Sequence, residues 1–327
     1  MTSDELLIAQ VAKARESLTA EIDRRIVGQK EVLEQLLVAL LAGGHVLLVG
    51  VPGLAKTSVV KTLASALSLV FGRIQFTPDL MPTDITGTDI LEDPMEGKRR
   101  FRFVKGPIFC NLLLADEINR TPPKTQAALL EAMQEGAVTV GGRTYPIERP
   151  FMVFATQNPI EQSGTYPLPE AQLDRFMLQV DVTYPSLEEE VEIIRRTTVG
   201  ELPKVSPMLD TRQVIALQNL VPRVPAADHV IQYAVNLIRR SRPTDPLTLK
   251  EIRPYVAWGV GPRAAQMLVL AAKARTLLRG RVAVEIGDIA ALAPAVLRHR
   301  LVMSFEAEAE GVKPDALIAR LIETTPP

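Results

Sequence analysis

Gly50-Val-Pro-Gly-Leu-Ala-Lys56-Thr57 is the stretch on which the reading turns. It stands between an apolar run, His45 to Val49, and a helical run, Thr57 to Val70. Strand, glycine-bearing loop and helix in that order make a phosphate cradle. Loop and helix N–H groups point at the anion, and the helix dipole favours its charge. In that reading Lys56 reaches the β- and γ-phosphates and the Thr57 hydroxyl ligates Mg²⁺. The strict pattern has Gly before Lys, where this chain has Ala55. A methyl there is costly only if the backbone needs a positive φ. Pro52 removes one donor and stiffens the loop. Alone, the segment also fits a Gly/Pro-rich turn of an ordinary α/β protein.

The second segment is Leu112-Leu-Leu-Ala-Asp-Glu117, a buried strand ending in two acids. Asp116 is placed to hold Mg²⁺ through its water shell, and Glu117 to polarise an attacking water. The two segments together point to nucleotide hydrolysis.

Composition narrows the partners. The chain has 327 residues, 47% hydrophobic, enough for a large core and two domains. With 37 basic and 38 acidic residues its net charge is −1, so no global attraction to nucleic acid or membrane is expected. Aromatics are only 5%, which argues against broad base-stacking surfaces. The single Cys110 excludes an internal disulfide and reads as a buried structural thiol in a reducing compartment. No secretory signal or membrane-spanning run is visible, and the three His and one Cys form no metal-ligand cluster. The expectation is a soluble, cytoplasmic protein.

Helices are expected over 3–25 and 29–42, and strands over 45–49, 73–76, 110–115, 151–156 and 176–182. Apolar strands alternating with helices indicate a parallel five-stranded sheet covered on both faces. Thr121 is expected to cap a helix that ends at Gly136. Residues 87–106 and 137–147 read as inserted β-hairpins, the first with turn signals at Asp93-Pro-Met-Glu-Gly97 and the second turning at Gly141-Gly142. Beyond Tyr184-Pro185-Ser186 only helical periodicity is found, including a helix over 247–258. The domains are therefore an α/β domain over 1–186 and an all-helical lid over 187–327.

Three further side chains fit the chemistry. Asn158 ends a strand beside the acidic pair and can bond a γ-phosphate or the lytic water. As Asn158-Pro159 it is equally an ordinary turn. Arg175, in Leu173-Asp-Arg-Phe176, can stabilise charge on a neighbour's γ-phosphate, or simply pair with Asp174 at the surface. Arg263, in Gly261-Pro-Arg263, opens a lid helix, where a cation opposes the dipole unless an anion is near, so it can lean over the phosphates. Arg120 reads as an interface or a salt-bridge residue. Gln75 reads either as a restraint on Glu117 or as a solvated strand residue.

With Ile26-Val-Gly-Gln29, Leu114-Ala-Asp-Glu-Ile-Asn-Arg120, Ala155-Thr-Gln-Asn-Pro159 and the Gly164–Phe176 segment, these motifs resemble an AAA+ ATPase of the MoxR family over essentially the whole chain. In that family alanine usually precedes the lysine, so Ala55 fits. The resemblance implies a sensor-1 role for Asn158, an arginine-finger role for Arg175 and a sensor-2 role for Arg263. It implies adenine near Val27 and Gly28, nucleotide contacts through Gly50, Pro52, Gly53, Leu54, Ala55, Lys56, Thr57, Ser58 and Asp116, and metal at Thr57 and Asp116. The cofactors implied are ATP and Mg²⁺. The 87–106 segment resembles the helix-2 insert and 137–147 the pre-sensor-1 hairpin. A homo-hexamer is implied, acting on a protein client or with a von Willebrand factor A domain partner, and remodelling or activating metalloenzymes and other complexes. The competing readings are a nucleic-acid motor, using Lys98, Arg99, Arg100, Arg102 and Lys105 with Phe101 and Phe103, and a metal-chelatase motor subunit. Period-two alternation, which puts the Phe residues on one face and the arginines on the other, favours a plain amphipathic hairpin instead.

Overall fold

The computed structural model describes residues 3–92, 100–161, 164–200 and 203–327. In chain order the first elements are α1 (Ser3–Asp23), α2 (Lys30–Ala42), β1 (His45–Val49), α3 (Lys56–Ala66) and β2 (Phe71–Gln75). Then come α4 (Pro82–Thr86), β3 (Gly87–Glu92), β4 (Arg100–Lys105), β5 (Leu112–Asp116) and α5 (Pro123–Glu135). β6 (Ala137–Val140), β7 (Arg143–Pro146), β8 (Met152–Gln157), α6 (Glu170–Leu173) and β9 (Phe176–Asp181) complete the first half. The helical region holds α7 (Leu187–Thr197), α8 (Thr211–Leu220), α9 (Asp228–Arg239), β10 (Val256–Trp258) and α10 (Pro262–Leu278). It ends with α11 (Ile286–Leu297), β11 (Val302–Met303), α12 (Phe305–Glu310) and α13 (Pro314–Thr324).

The five strands form one parallel sheet in the order β2-β5-β8-β1-β9. Side chains alternate between faces along each strand. Val46, Leu48, Leu114, Phe154 and Val180 enter one core, while Leu47, Leu113, Ala115, Val153 and Ala155 enter the other. Both faces being buried explains why the strands read as unbroken apolar runs. The first core also takes in α1, α2, α3 and the helical region; the second lies under α5. Cys110 is buried, and burial pushes its thiol up to about 12.

Several expectations are corrected. The second strand starts at Phe71 and ends at Gln75. Thr121 does not cap α5: its hydroxyl donates to Thr77 O at 2.8 Å, and the helix opens on Pro122 and Pro123 without a side-chain cap. No helix forms over 247–258. The Asp245 carboxylate turns the chain by accepting from Leu247 N, and Pro254 sits in a short 3₁₀ turn before β10. β10 pairs antiparallel with β11, so the region is not all-helical.

The two inserts are hairpins. β3 pairs with β4, and β6 with β7 around Gly141 and Gly142, both at positive φ as a tight two-residue turn requires. The turn expected at Asp93–Gly97, with Lys98 and Arg99, lies outside the described residues. Phe103 faces inward, stacked on Tyr145 at 4.0 Å and edge-on to Phe109, but Phe101 is exposed. No helix among the described residues is long and apolar enough to cross a membrane.

His45 anchors the start of β1. Its Nδ1 accepts from Val153 N at 3.0 Å and its Nε2 donates to Met133 O at 3.1 Å. Burial lowers its pKa to about 4, so it is neutral in the fold, whereas in the unfolded chain it takes up a proton below about pH 6.5. Stability therefore falls as pH drops from about 6.5 towards 4, by about 3 kcal/mol from this residue. Buried His299 adds in the same direction. Urea unfolding between about pH 7.5 and 5 should show that decline, with a shallower slope in His45→Asn.

Candidate nucleotide site

β1 delivers the chain into the loop Gly50–Ala55, and α3 starts at Lys56. Gly53 takes φ 86° and Ala55 φ 56°. The position before Lys56 does require the left-handed region, so Ala55 is held there at a cost of roughly 1–2 kcal/mol. Open space surrounds Gly53. Lys56 Nζ is folded back on its own loop, donating to Gly50 O and, at 2.9 Å, to Val51 O. Burial lowers its pKa, while Asp116 and Glu117 act in the opposite sense.

Asp116 ends β5, beside Gln75 of β2. Thr156, on β8, donates its hydroxyl to Asp116 Oδ1 at 2.7 Å and accepts from Glu117 N at 2.8 Å. One side chain thus fixes both acids. Arg73 and Gln75, two apart and so on one face of β2, engage the same pair. Arg73 donates to Asp116 Oδ2 at 2.7 Å, and Gln75 to Glu117 Oε2 at 2.8 Å. Arg120 donates to that same Glu117 oxygen at 3.0 Å and lies 3.9 Å from Glu161. Glu117 itself sits at φ 58°. Asn158 is buried at the end of β8. Its Oδ1 accepts from Ile160 N, and its Nδ2 has no partner among the described residues. An unpaired buried donor costs about 1–3 kcal/mol unless a ligand accepts from it.

A cavity beside the loop is lined by Ile26, Val27, Leu54, Ser58, Ile193 and Arg196, among others. It lies between the 25–29 turn, the phosphate loop and α7. Gln29 Nε2 ties the turn to the loop by donating to Leu54 O at 2.9 Å. Arg196 Nη1 ties α7 to the end of α1 by donating to Asp23 O at 2.6 Å. Gly28, at φ 71°, packs against the Glu189 carboxylate, and its positive φ strains any residue with a side chain.

The two remaining arginines lie elsewhere. Arg175 and Arg263 line one cavity together with Gly43, Gly44, His45, Met133, Met177 and Met267. Gly43 to His45 precede β1, whereas the phosphate loop follows it. Five residues at about 3.3 Å each separate the two ends by roughly 16 Å. Arg263 therefore does not lean over this chain's own phosphate loop. It lies 3.8 Å from Asp174, on the same side as Arg175.

The donors suit the ligands the loop implies. Thr57 and Asp116 offer oxygen to a hard cation such as Mg²⁺, Lys56 and the loop N–H groups offer charge and donors to phosphate, and Asn158 Nδ2 is a free donor. Arg73 and Thr156 each hold one oxygen of Asp116, so a cation held there would have to share that carboxylate with them. Among the described residues no group of three or more His, Cys, Asp or Glu converges as a separate metal site. Neither the Arg73–Asp116 pair nor the Thr156 bridge was singled out in the sequence, although the spacing of Arg73 and Gln75 on one strand is a readable sign.

Residues 45–178 match the ATPase family associated with various cellular activities (AAA), and residues 250–321 match an AAA lid domain. Fold, site and both matches define an AAA+ ATPase. The chain is 46% identical over 304 residues to the chaperone MoxR1 of Mycobacterium tuberculosis, covering 93% of this chain and 80% of that one. It is 44% identical to the uncharacterized protein YeaC of Bacillus subtilis, covering 92% and 91%. A crystal structure of a candidate ATPase from Cytophaga hutchinsonii superimposes with a TM-score of 0.92 at 41% identity, covering 99% and 98%. The chain belongs to the MoxR family of AAA+ ATPases.

Lys56→Ala removes the one cation of the phosphate loop. Nucleotide affinity, titrated with a fluorescent ADP analogue, is expected to fall about a hundredfold. An unchanged affinity would refute the assignment of this loop.

Proposed function

We propose that the protein is an ATP-hydrolysing ring motor of chaperone-like role that remodels or activates other protein complexes. The observation that carries this reading is the separation of Arg175 and Arg263 from the phosphate loop of their own chain. Cations that stabilise a transferring phosphoryl group must approach it. At the far end of the sheet these two can do so only for a neighbouring subunit, in a head-to-tail contact that closes into a ring. A homo-hexamer is the assembly the family resemblance implies.

Each residue then has a task. Loop N–H groups, Lys56, Thr57 and Ser58 bind and orient the phosphates, with Val27 and Gly28 on the side of the base. Thr57 and Asp116 would hold Mg²⁺, which would supply charge neutralisation to the phosphates. Glu117 accepts a proton from the attacking water once Gln75 and Arg120 release it. Asn158 Nδ2 donates to the water or to the γ-phosphate. Arg175 and Arg263 of the adjacent subunit complete the charge stabilisation.

The inserted hairpins are the parts that would press on a client. Phe103 is spent on Tyr145 and Phe109, and Lys105 lies over the Phe109 ring at 5.1 Å. Among the described residues of the β3–β4 hairpin the only aromatic ring left exposed is Phe101, and one ring cannot stack successive bases, which favours a protein client over nucleic acid. The relative named a chaperone supports the same choice. Metalloenzymes and proteins carrying a von Willebrand factor A domain are the clients or partners the family implies.

Specific activity should rise with protein concentration as the assembly forms, measured by ATP turnover alongside light scattering. Glu117→Gln should bind nucleotide but not hydrolyse it. Arg175→Ala and Arg263→Ala should each lose turnover while keeping the wild-type affinity of the monomer. Flat specific activity from a monomer would overturn the shared-site reading.

A further inference from the structure

The start of β9 is irregular where it carries Arg175. His45 pairs with Phe176, but Val46 pairs with Leu178, so Met177 is an extra residue in a bulge. A bulge next to a functional side chain re-aims it, and leaves backbone carbonyls without ladder partners. Here those carbonyls are taken up by one side chain from the helical region, Arg300, just beyond α11.

The Arg300 guanidinium is almost fully buried. Its Nε donates to Asp174 Oδ1 at 2.7 Å. Nη2 donates to Asp174 O at 3.1 Å and to Phe176 O at 2.5 Å. Nη1 donates to Met177 O at 3.3 Å and to Val296 O. The carbonyls on both sides of Arg175 are thus bonded to one rigid planar group. His299 Nε2 adds a second bond to Phe176 O at 3.0 Å. A guanidinium has five donors in a fixed fork; a lysine ammonium on a flexible stem cannot span these acceptors. Asp174 neutralises the buried charge and at the same time faces Arg263. Burial of such a group is expensive unless it is fully paired, and this one is.

We propose that Arg300 is the positioning residue for Arg175: it clamps the bulged backbone so that the Arg175 side chain is held for the neighbouring subunit's phosphates, and it makes the helical region part of that aim. This rests on the reading that Arg175 acts in trans. The consequence is that damage to Arg300 impairs not the site of its own chain but the one next door.

The test uses the full chain, with the assembly state of each variant checked by light scattering. Arg300→Lys keeps the charge and loses the fork. Misplacing a positioned group by about 1 Å costs about a hundredfold in rate, so kcat should fall by about that factor while affinity for the fluorescent ADP analogue stays within about twofold. The decisive readout is mixing with Glu117→Gln, which is inactive at its own site but supplies an intact Arg175. Mixed assemblies should turn over faster than the sum of the two separate proteins, as should mixtures of Arg175→Ala with Glu117→Gln. If Arg300→Lys fails to assemble, Asp174→Asn is the second variant, expected to show a smaller loss rescued in the same way. Wild-type turnover by Arg300→Lys overturns the proposal. So does a defect that Glu117→Gln does not rescue when it does rescue Arg175→Ala. Normal turnover by Arg175→Ala, or its failure to be rescued, removes the trans reading itself and the proposal with it.

Discussion

The hydrogen-bonded burial of β1 between β8 and β9 governs everything else in the molecule. A strand with apolar side chains on both faces cannot carry charge along its length, so charge collects at its two ends. One end opens into the phosphate loop and the N-terminus of α3. The other meets the bulged start of β9, with Arg175, and the first turn of α10, with Arg263. The strand is too short to hide either end and too long for a side chain at one to reach the other. On the proposed reading, the two sets of groups meet only where two molecules adjoin.

Around the phosphate loop the structure holds several unfavourable arrangements that the cores offset. Gln29, Ala55 and Glu117 all occupy the left-handed region without being glycine, each costing roughly 1–2 kcal/mol. Asn158 keeps a buried donor unpaired. The acids are answered by this chain's own groups: Asp116 by Arg73, Glu117 by Gln75 and Arg120. Lys56 is spent on loop carbonyls. Ligand binding therefore proceeds by exchange of partners rather than by filling a vacant charged hole.

Much of this was legible in the sequence because the signals are local. The loop Gly50–Thr57, the strand ending in Asp116-Glu117 and the Gly141-Gly142 hairpin each carry their geometry in a few adjacent residues. The misreadings share a physical origin. Residues 247–258 have helical periodicity, but Asp245 and Pro254 override it with turn chemistry. Thr121 looks like a cap and instead bonds to Thr77, which only the fold brings near. Arg263 was expected over its own phosphates because one chain's sequence does not say which end of the sheet a helix start will reach. Arg300 gave no signal, since a guanidinium after an apolar helix is unremarkable until the carbonyls it serves are known.

The first hydrophobic core runs without a break from the sheet, through Leu36, Leu48 and Val180, into the helical region, through Leu268, Leu277 and Val296. α10 packs on α2, and α11 on β9. Prising the two regions apart would put that apolar surface into water, a cost proportional to the area exposed. α7 and α12 put no residue into this core, and α7 is tied to α1 by the Arg196–Asp23 bond. The α/β and helical regions consequently move as one stiff body, and bending is cheapest at α7, where few apolar contacts would be lost.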